Sequence, residues 1–252
     1  RRGWMVIEST RNPRVKAWLS LRNRKERDRT GTFIIEGHRE AVRAAKHLEI
    51  IESIIREDQT TDGLPSPTLV STRVFGRISA RQNPDGIAVV ARTPPMDLSA
   101  MEAPPSDVHL IGDGIEKPGN VGAMLRTADA FGTAFVGSAL ASDLVNPNTV
   151  RAAQGSLFST PIAAAPREEA VAWAANNTSV VVADPDGEIG LWDADLSTGP
   201  LSLVVGSEHA GVDPVWLSVG KAVSIPVRGA ADSLNASVAA ALFVAEAIRQ
   251  RR

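Results

Sequence analysis

The sequence predicts an α/β protein in two parts, a small amino-terminal α/β domain and a larger carboxyl-terminal domain built on a mainly parallel sheet with flanking helices. Three observations predict it. Beyond residue 107 short apolar runs alternate with amphipathic helical runs, which is the pattern of a parallel sheet covered by helices. Between Thr93 and Ser106 the chain reads TPPMDLSAMEAPPS, where two Pro-Pro pairs break any regular element and mark a linker. With 43% hydrophobic residues in 252, there is enough apolar material for a sizeable core. The expected division is 1–93, a linker at 94–106, and 107–252.

In the first part, the basic segment around Arg11 to Arg29 reads as helical, Thr32 to Ile35 as a short strand, and Glu40 to Leu48 as a helix. Ile50 to Ile55, Thr68 to Val70 and Ile87 to Ala91 are rich in β-branched residues and predict strands. In the second part the same reasoning gives strands at Val108 to Ile111, Ala134 to Val136, Val180 to Ala183, Leu201 to Val205 and Val223 to Val227. Helices are predicted at Val121 to Ala130, Arg167 to Ala175 and Leu234 to Arg249. Ligands of parallel sheets bind beyond the carboxyl ends of the strands. The loops after Ile111, Val205 and Val227 are therefore where chemistry is sought.

Composition narrows the function. Without cysteine there is no disulfide, thiolate metal site or thiol nucleophile, and His38, His47, His109 and His209 lack ligand spacing. The chemistry is expected to be metal-free. No apolar run reaches the length of a membrane span and the basic amino terminus lacks a signal-peptide core, so the protein is expected in the cytoplasm. The net charge of −2 conceals a basic segment: Arg1, Arg2, Arg11, Arg14, Lys16, Arg22, Arg24, Lys25, Arg27 and Arg29 stand against Glu8, Glu26 and Asp28. Such a segment reads either as a phosphate-binding patch or as a solvated helix face.

Three segments of the second part carry candidate chemistry. DGIEKPGNVGAMLRTADAFG, from Asp113 to Gly132, lacks the third glycine of a dinucleotide-binding turn and the Lys-Ser/Thr of a P-loop. Within it Asn120 is a candidate helix cap and Arg126 a helical cation near Gly122 and Ala130. LVVGSEHAGV, from Leu203 to Val212, is a buried strand running into a tight turn at Gly206 and Gly211, with Glu208 the carboxylate at its tip. SIPVRGAADSLNASVAAALFVAEAIRQRR, from Ser224 to Arg252, runs strand, loop, helix, with Asp232 or Ser233 as cap and Ser233, Asn235 and Ser237 crowded on its first turn. That crowding exceeds what a cap requires.

In this order the three segments resemble the three motifs of SpoU/TrmH ribose methyltransferases. Asn120, Gly122, Arg126, Thr127 and Gly132 match the first, Gly206, Glu208 and Gly211 the second, and Pro226, Ser233, Leu234, Asn235 and Ser237 the third. Lys117 departs from the aspartate that many members carry before Pro-Gly-Asn. NPRVKAWLSLRNRKERDRTGTFIIEG, from Asn12 to Gly37, is similar to the amino-terminal substrate-binding domain of members acting on large-subunit ribosomal RNA.

The resemblance implies S-adenosylmethionine as cofactor, a trefoil knot after Leu201, a homodimer with the active site near its interface, and methylation of a ribose 2′-hydroxyl in 23S ribosomal RNA. Some members confer antibiotic resistance in this way. It implies Arg126, Asn120, Glu208, Ser233 and Asn235 as catalytic residues, and Ala183, Gly206, Ile225 and Leu234 around the cofactor. A transfer-RNA 2′-O-methyltransferase and a noncatalytic RNA-binding relative are the alternatives. The amino-terminal domain speaks against the first, and the intact Asn120, Arg126, Glu208 and Asn235 against the second.

Overall fold

The computed structural model describes residues 5–60, 63–101, 107–230 and 233–252. Arg1 and Arg2 of the basic segment, positions 102–106 of the linker and the cap candidate Asp232 fall outside them. The chain divides into two compact units, one of residues 1–94 with 145–158, the other of 95–144 with 159–252. No helix among the described residues is long and apolar enough to cross a membrane.

The first unit begins with α1 (Pro13–Ser20) and α2 (Arg24–Thr30), followed by β1 (Thr32–Glu36), α3 (His38–Ala44), β2 (Ile50–Arg56), β3 (Pro67–Val70), α4 (Thr72–Ile78) and β4 (Ile87–Arg92). The helical segment expected around Arg11 to Arg29 is two helices, α1 and α2. Asn12 caps α1, with Pro13 in its first turn, and Asn23 caps α2 by accepting from the Lys25 amide at 2.9 Å. A side chain that bonds the backbone two residues ahead stops one helix and starts the next. Gly31, at φ +61°, ends α2.

The four strands form a mixed sheet in the order β1-β4-β2-β3. Val15 and Trp18 of α1 pack with Val74, Phe75 and Ile78 of α4 on Ile54, Ala88 and Val90 of this sheet. The basic segment is partly consumed internally. Arg27 is 2% exposed and donates to the carbonyls of Leu21 and Arg22, while Arg14 binds Glu52 and Arg29 pairs with Glu26. Arg27 is thus a structural cation rather than a member of a phosphate-binding patch.

The second unit opens with a short 3-10 turn at Leu98–Met101, then β5 (Val108–Asp113), α5 (Pro118–Phe131) and β6 (Ala134–Ser138). The chain next contributes α6 (Pro147–Ala153) to the first unit, where it packs on β1, a piece the linker-based division had assigned to the second domain. Val150 is 3% exposed, so its burial there accounts for the exchange. After α7 (Ser156–Ser159) come β7 (Ile162–Ala165), α8 (Arg167–Asn177), β8 (Ser179–Ala183), β9 (Ile189–Gly190), β10 (Leu201–Val205), α9 (Pro214–Leu217), β11 (Lys221–Ser224) and α10 (Ala236–Gln250).

The seven strands pair in the order β7-β6-β5-β10-β8-β11-β9, and every pairing is parallel. The strands β5, β6 and β10 are buried throughout, as a sheet covered on both faces requires. The strand expected over Val223 to Val227 ends at Ser224, leaving Ile225 to Val227 as loop.

Candidate active site

Parallel pairing brings the carboxyl ends of β8, β10 and β11 side by side, and a cavity of about 370 Å3 opens there. Ala183 lines it from the end of β8, Gly206 from the end of β10, Ile225 from the loop after β11 and Leu234 from the approach to α10. All four expected cofactor-binding positions therefore meet in one cavity, joined by Glu208 and Ser233. Val205, Val223 and Phe243 add apolar wall, and Asp184 and Asp186 add carboxylates.

The turn after β10 is built for close approach. Ser207 and Gly211 exchange both backbone hydrogen bonds, each 3.0 Å, and Gly211 takes φ +68°. A Cβ on Gly206 would run into the backbone of Gly211 and Val212, so only glycine lets the two arms of the turn come together.

Glu208, at the tip of this turn, gathers the polar residues. It accepts from Asn120 Nδ2 at 3.3 Å, from Asn235 Nδ2, and from Lys117 Nζ at 2.5 Å; Asn235 Nδ2 also donates to Asn120 Oδ1 at 3.2 Å. The Lys117 ammonium first, then the Asn120 and Asn235 amides, hold the Glu208 carboxyl below its ordinary range, and the same pair raises Lys117. At neutral pH Glu208 is an anion that accepts hydrogen bonds.

Two expectations about caps change. Asn120 does not cap α5, because that helix starts at Pro118 with Lys117 as its cap residue, and Asn120 lies inside the first turn. Proline fits the first helical position, and its presence there frees the Asn120 side chain for Glu208. The cap of α10 is Asn235, whose Oδ1 accepts from the Ser237 amide at 3.0 Å, leaving Ser233 before the helix on the cavity wall. Asn235 does both jobs, its oxygen capping the helix and its amide nitrogen reaching Glu208.

Arg126 stands apart from this cluster. It is exposed on α5, lies outside the cavity lining, and makes no hydrogen bond or ion pair among the described residues. Of the four expected polar partners of Arg126, three are joined by hydrogen bonds and Ser233 shares the cavity with Glu208.

Behind the turn lies a network that sequence reasoning missed. Asp113, 1% exposed at the end of β5, accepts from Arg167 Nε at 2.9 Å, Ser138 Oγ at 2.7 Å and the Asp213 amide at 3.1 Å. Arg167 also reaches the Asp213 carboxylate at 3.1 Å. Burial acts to raise the Asp113 carboxyl, but these bonds outweigh it and hold it below its ordinary range. The network ties the exit of β5 to the chain leaving the Gly206 turn. A carboxylate closing a buried strand was visible in the sequence, whereas its partner 54 residues on was not.

Comparison with known proteins identifies relatives over nearly the whole chain. The SpoU rRNA Methylase family model matches residues 107–245, and a model of an MRM3-like substrate binding domain matches residues 12–89. A 23S rRNA (guanosine(2553)-2′-O)-methyltransferase of Bacillus subtilis is 33% identical over 258 residues, covering 94% of this chain and 97% of that protein. A crystal structure of an RNA 2′-O ribose methyltransferase superposes with a TM-score of 0.84 at 39% identity, covering 98% and 99% of the two chains. An AdoMet-bound rRNA methyltransferase from Sinorhizobium meliloti superposes with a TM-score of 0.88 at 30% identity, covering 97% of each.

Proposed function

The chain belongs to the SpoU rRNA methylase family, and from that membership and the cavity beyond β8, β10 and β11 we propose that it methylates a ribose 2′-hydroxyl of 23S ribosomal RNA with S-adenosylmethionine. The observation that carries the reading is the convergence of Ala183, Gly206, Ile225 and Leu234 on one cavity that Glu208 also lines, with Asn120 and Asn235 hydrogen-bonded to Glu208. A volume of about 370 Å3 is within the size of small-molecule sites. Apolar walls from Val205, Val223, Ile225 and Leu234 suit an adenine ring, and the backbone of the Gly206 turn suits its polar edge. S-adenosylmethionine supplies an activated methyl group.

The protein's task is alignment and charge. Glu208, fixed as an anion by Lys117, Asn120 and Asn235, orients donors at the mouth, and Ser233 adds a hydroxyl. Arg126 supplies the cation. A guanidinium with a pKa above about 12 makes a poor base. Its role would be to stabilise the developing alkoxide and to orient the neighbouring phosphate, which would hold the proton that leaves the 2′-hydroxyl.

The same reading assigns the first domain to substrate binding, supported by the match over residues 12–89. It includes the trefoil knot, supported by a strand order in which β10 enters between β5 and β8 while β11 lies on the far side of β8. It includes a cytoplasmic homodimer formed through α5 and α10, supported by Phe131 and Val238 exposed on them at 38% and 47%. Incubating enzyme, labelled cofactor and unmethylated 23S ribosomal RNA, then mapping 2′-O-methyl positions, tests the activity. A methyl group on a base, or on transfer RNA alone, overturns it.

A further inference from the structure

We propose that the first unit contains a pocket for one unstacked nucleotide of the RNA substrate, a recognition site additional to the methyl-transfer cavity of the second unit; this rests on RNA being the substrate. A cavity of about 400 Å3 lies within this unit. Its apolar floor is Ile34, Phe75, Ile78 and Ala88, and its polar lining comes from two sources. Glu36 and three arginines, Arg22, Arg81 and Arg151, supply charge, while Asn146 and Asn148 supply amides.

The lining is preorganised. Arg22 Nη2 donates to the carbonyls of Arg77, Ile78 and Ser79 at 3.1, 2.9 and 3.2 Å, closing the end of α4. Arg81 Nη2 holds the Glu36 carbonyl at 2.7 Å, and the Glu36 carboxylate accepts from the Ala80 amide at 3.0 Å and from the Ser79 hydroxyl. Asn146 Oδ1 accepts from the Asn148 amide at 2.9 Å, and Asn148 Oδ1 accepts from Arg151 Nη2 at 3.0 Å. In both asparagines the oxygen is engaged by the protein, which leaves the NH2 groups to donate. Each Glu36 oxygen keeps a lone pair.

One cavity thus offers amide and guanidinium donors, a carboxylate acceptor and an apolar floor. A free phosphate would have to lie beside Glu36, whereas a nucleobase carries donors and acceptors on one flat apolar ring. Charge selects the polymer. The first unit holds nineteen Lys and Arg against eleven Asp and Glu, and the second eight against eighteen. A polyanion is drawn to such a unit and a neutral metabolite is not. RNA is read mainly through bases splayed out of single-stranded loops and bulges, which is the ligand this cavity fits.

Ala80 lies exposed at the lining, so Ala80→Trp fills the cavity without removing a packed side chain. With an unmethylated 23S rRNA transcript, Ala80→Trp and the milder Asn148→Ala raise KM for RNA, the former by about tenfold, the worth of one base contact. Cofactor affinity by calorimetry stays at the wild-type value, and wild-type circular dichroism and thermal denaturation of the full chain report that the first unit is folded in both variants. With the wild-type chain, a transcript carrying photo-reactive 4-thiouridine cross-links through one unpaired nucleotide to the cavity lining. An unchanged KM in both variants, or cross-links scattered over duplex RNA, would overturn the pocket. Failure of the wild-type enzyme to methylate the transcript would overturn the functional reading itself, and RNA affinity by fluorescence anisotropy would then decide the pocket by the same comparison of variants.

Discussion

Glu208 takes hydrogen bonds from two amides and an ion pair from Lys117, and its ionisation follows from them. Its carboxyl is held below the ordinary range, so the anion's contribution is present at neutral pH and lost as pH falls through the folded value. Lys117→Met removes the largest of these influences and should move that loss to higher pH, which carboxylate NMR titration measures; an unmoved Glu208 titration would remove Lys117 from the site. If Arg126 acts on the ribose as proposed, Arg126→Ala should cut single-turnover methylation about 100-fold at saturating cofactor and RNA, with cofactor affinity nearly unchanged. Arg126→Lys should rescue little, because a point charge cannot hold alkoxide and phosphate together. Near-wild-type rates for the alanine variant would return Arg126 to the status of a surface cation. The sequence made Glu208 and Asn235 legible as an isolated turn carboxylate and an excess of polar groups on one helical turn. It misread Asn120 as a cap, because a polar residue just after Pro-Gly has the same local signature whether it bonds the helix or a carboxylate 88 positions away.

Elements with a strong periodic or β-branched pattern were legible: β10 has the expected bounds, and α5, α8 and α10 differ only at their ends. Those missed are short or ambiguous. The strand β7 is Ile followed by three alanines, which no periodicity separates from helix, and α6, α7 and α9 are seven residues or fewer. What aligns the elements around the cavity was also hidden, because Asp113, Arg167 and Asp213 meet only in three dimensions. Arg167→Gln leaves Asp113 buried without its cation, and with Arg167 partly exposed the cost is about 2 kcal/mol. Burial would then dominate at Asp113 and raise its carboxyl, so protonation favours the variant's fold and its stability deficit against the wild type should narrow as the solution is acidified. Thermal denaturation across pH checks this. A melting curve with wild-type pH dependence would show that Arg167 does not set the Asp113 ionisation.

At the scale of the whole molecule, the net charge of −2 is the difference of two opposed units, and the boundary between them is not a single cut in the chain. A change of unit near Pro94 was legible from its prolines, but the burial of Met101 in the second unit's core and the return of Val145–Phe158 to the first unit were not, because nothing local distinguishes a helix that packs on β1 from one that packs on its own sheet. A fragment starting at Pro95 keeps every residue of the methyl-transfer cavity yet loses the partners of this segment. Val145, Val150, Leu157 and Phe158, at 5%, 3%, 3% and 7% exposure in the intact chain, would meet water together. Such a patch favours association. The fragment is therefore expected to aggregate in sedimentation experiments, and the same fragment carrying Val150→Lys and Phe158→Lys is expected to stay soluble and to bind S-adenosylmethionine with near-native affinity. It should bind RNA weakly, and the steep fall of RNA affinity with salt seen for the intact chain should flatten, because the unit with nineteen cations is gone. Native RNA affinity and salt dependence in this fragment would place RNA recognition in the methyl-transfer unit. An unmodified fragment that remained soluble would show that the Val145–Phe158 segment does not depend on the first unit for its burial.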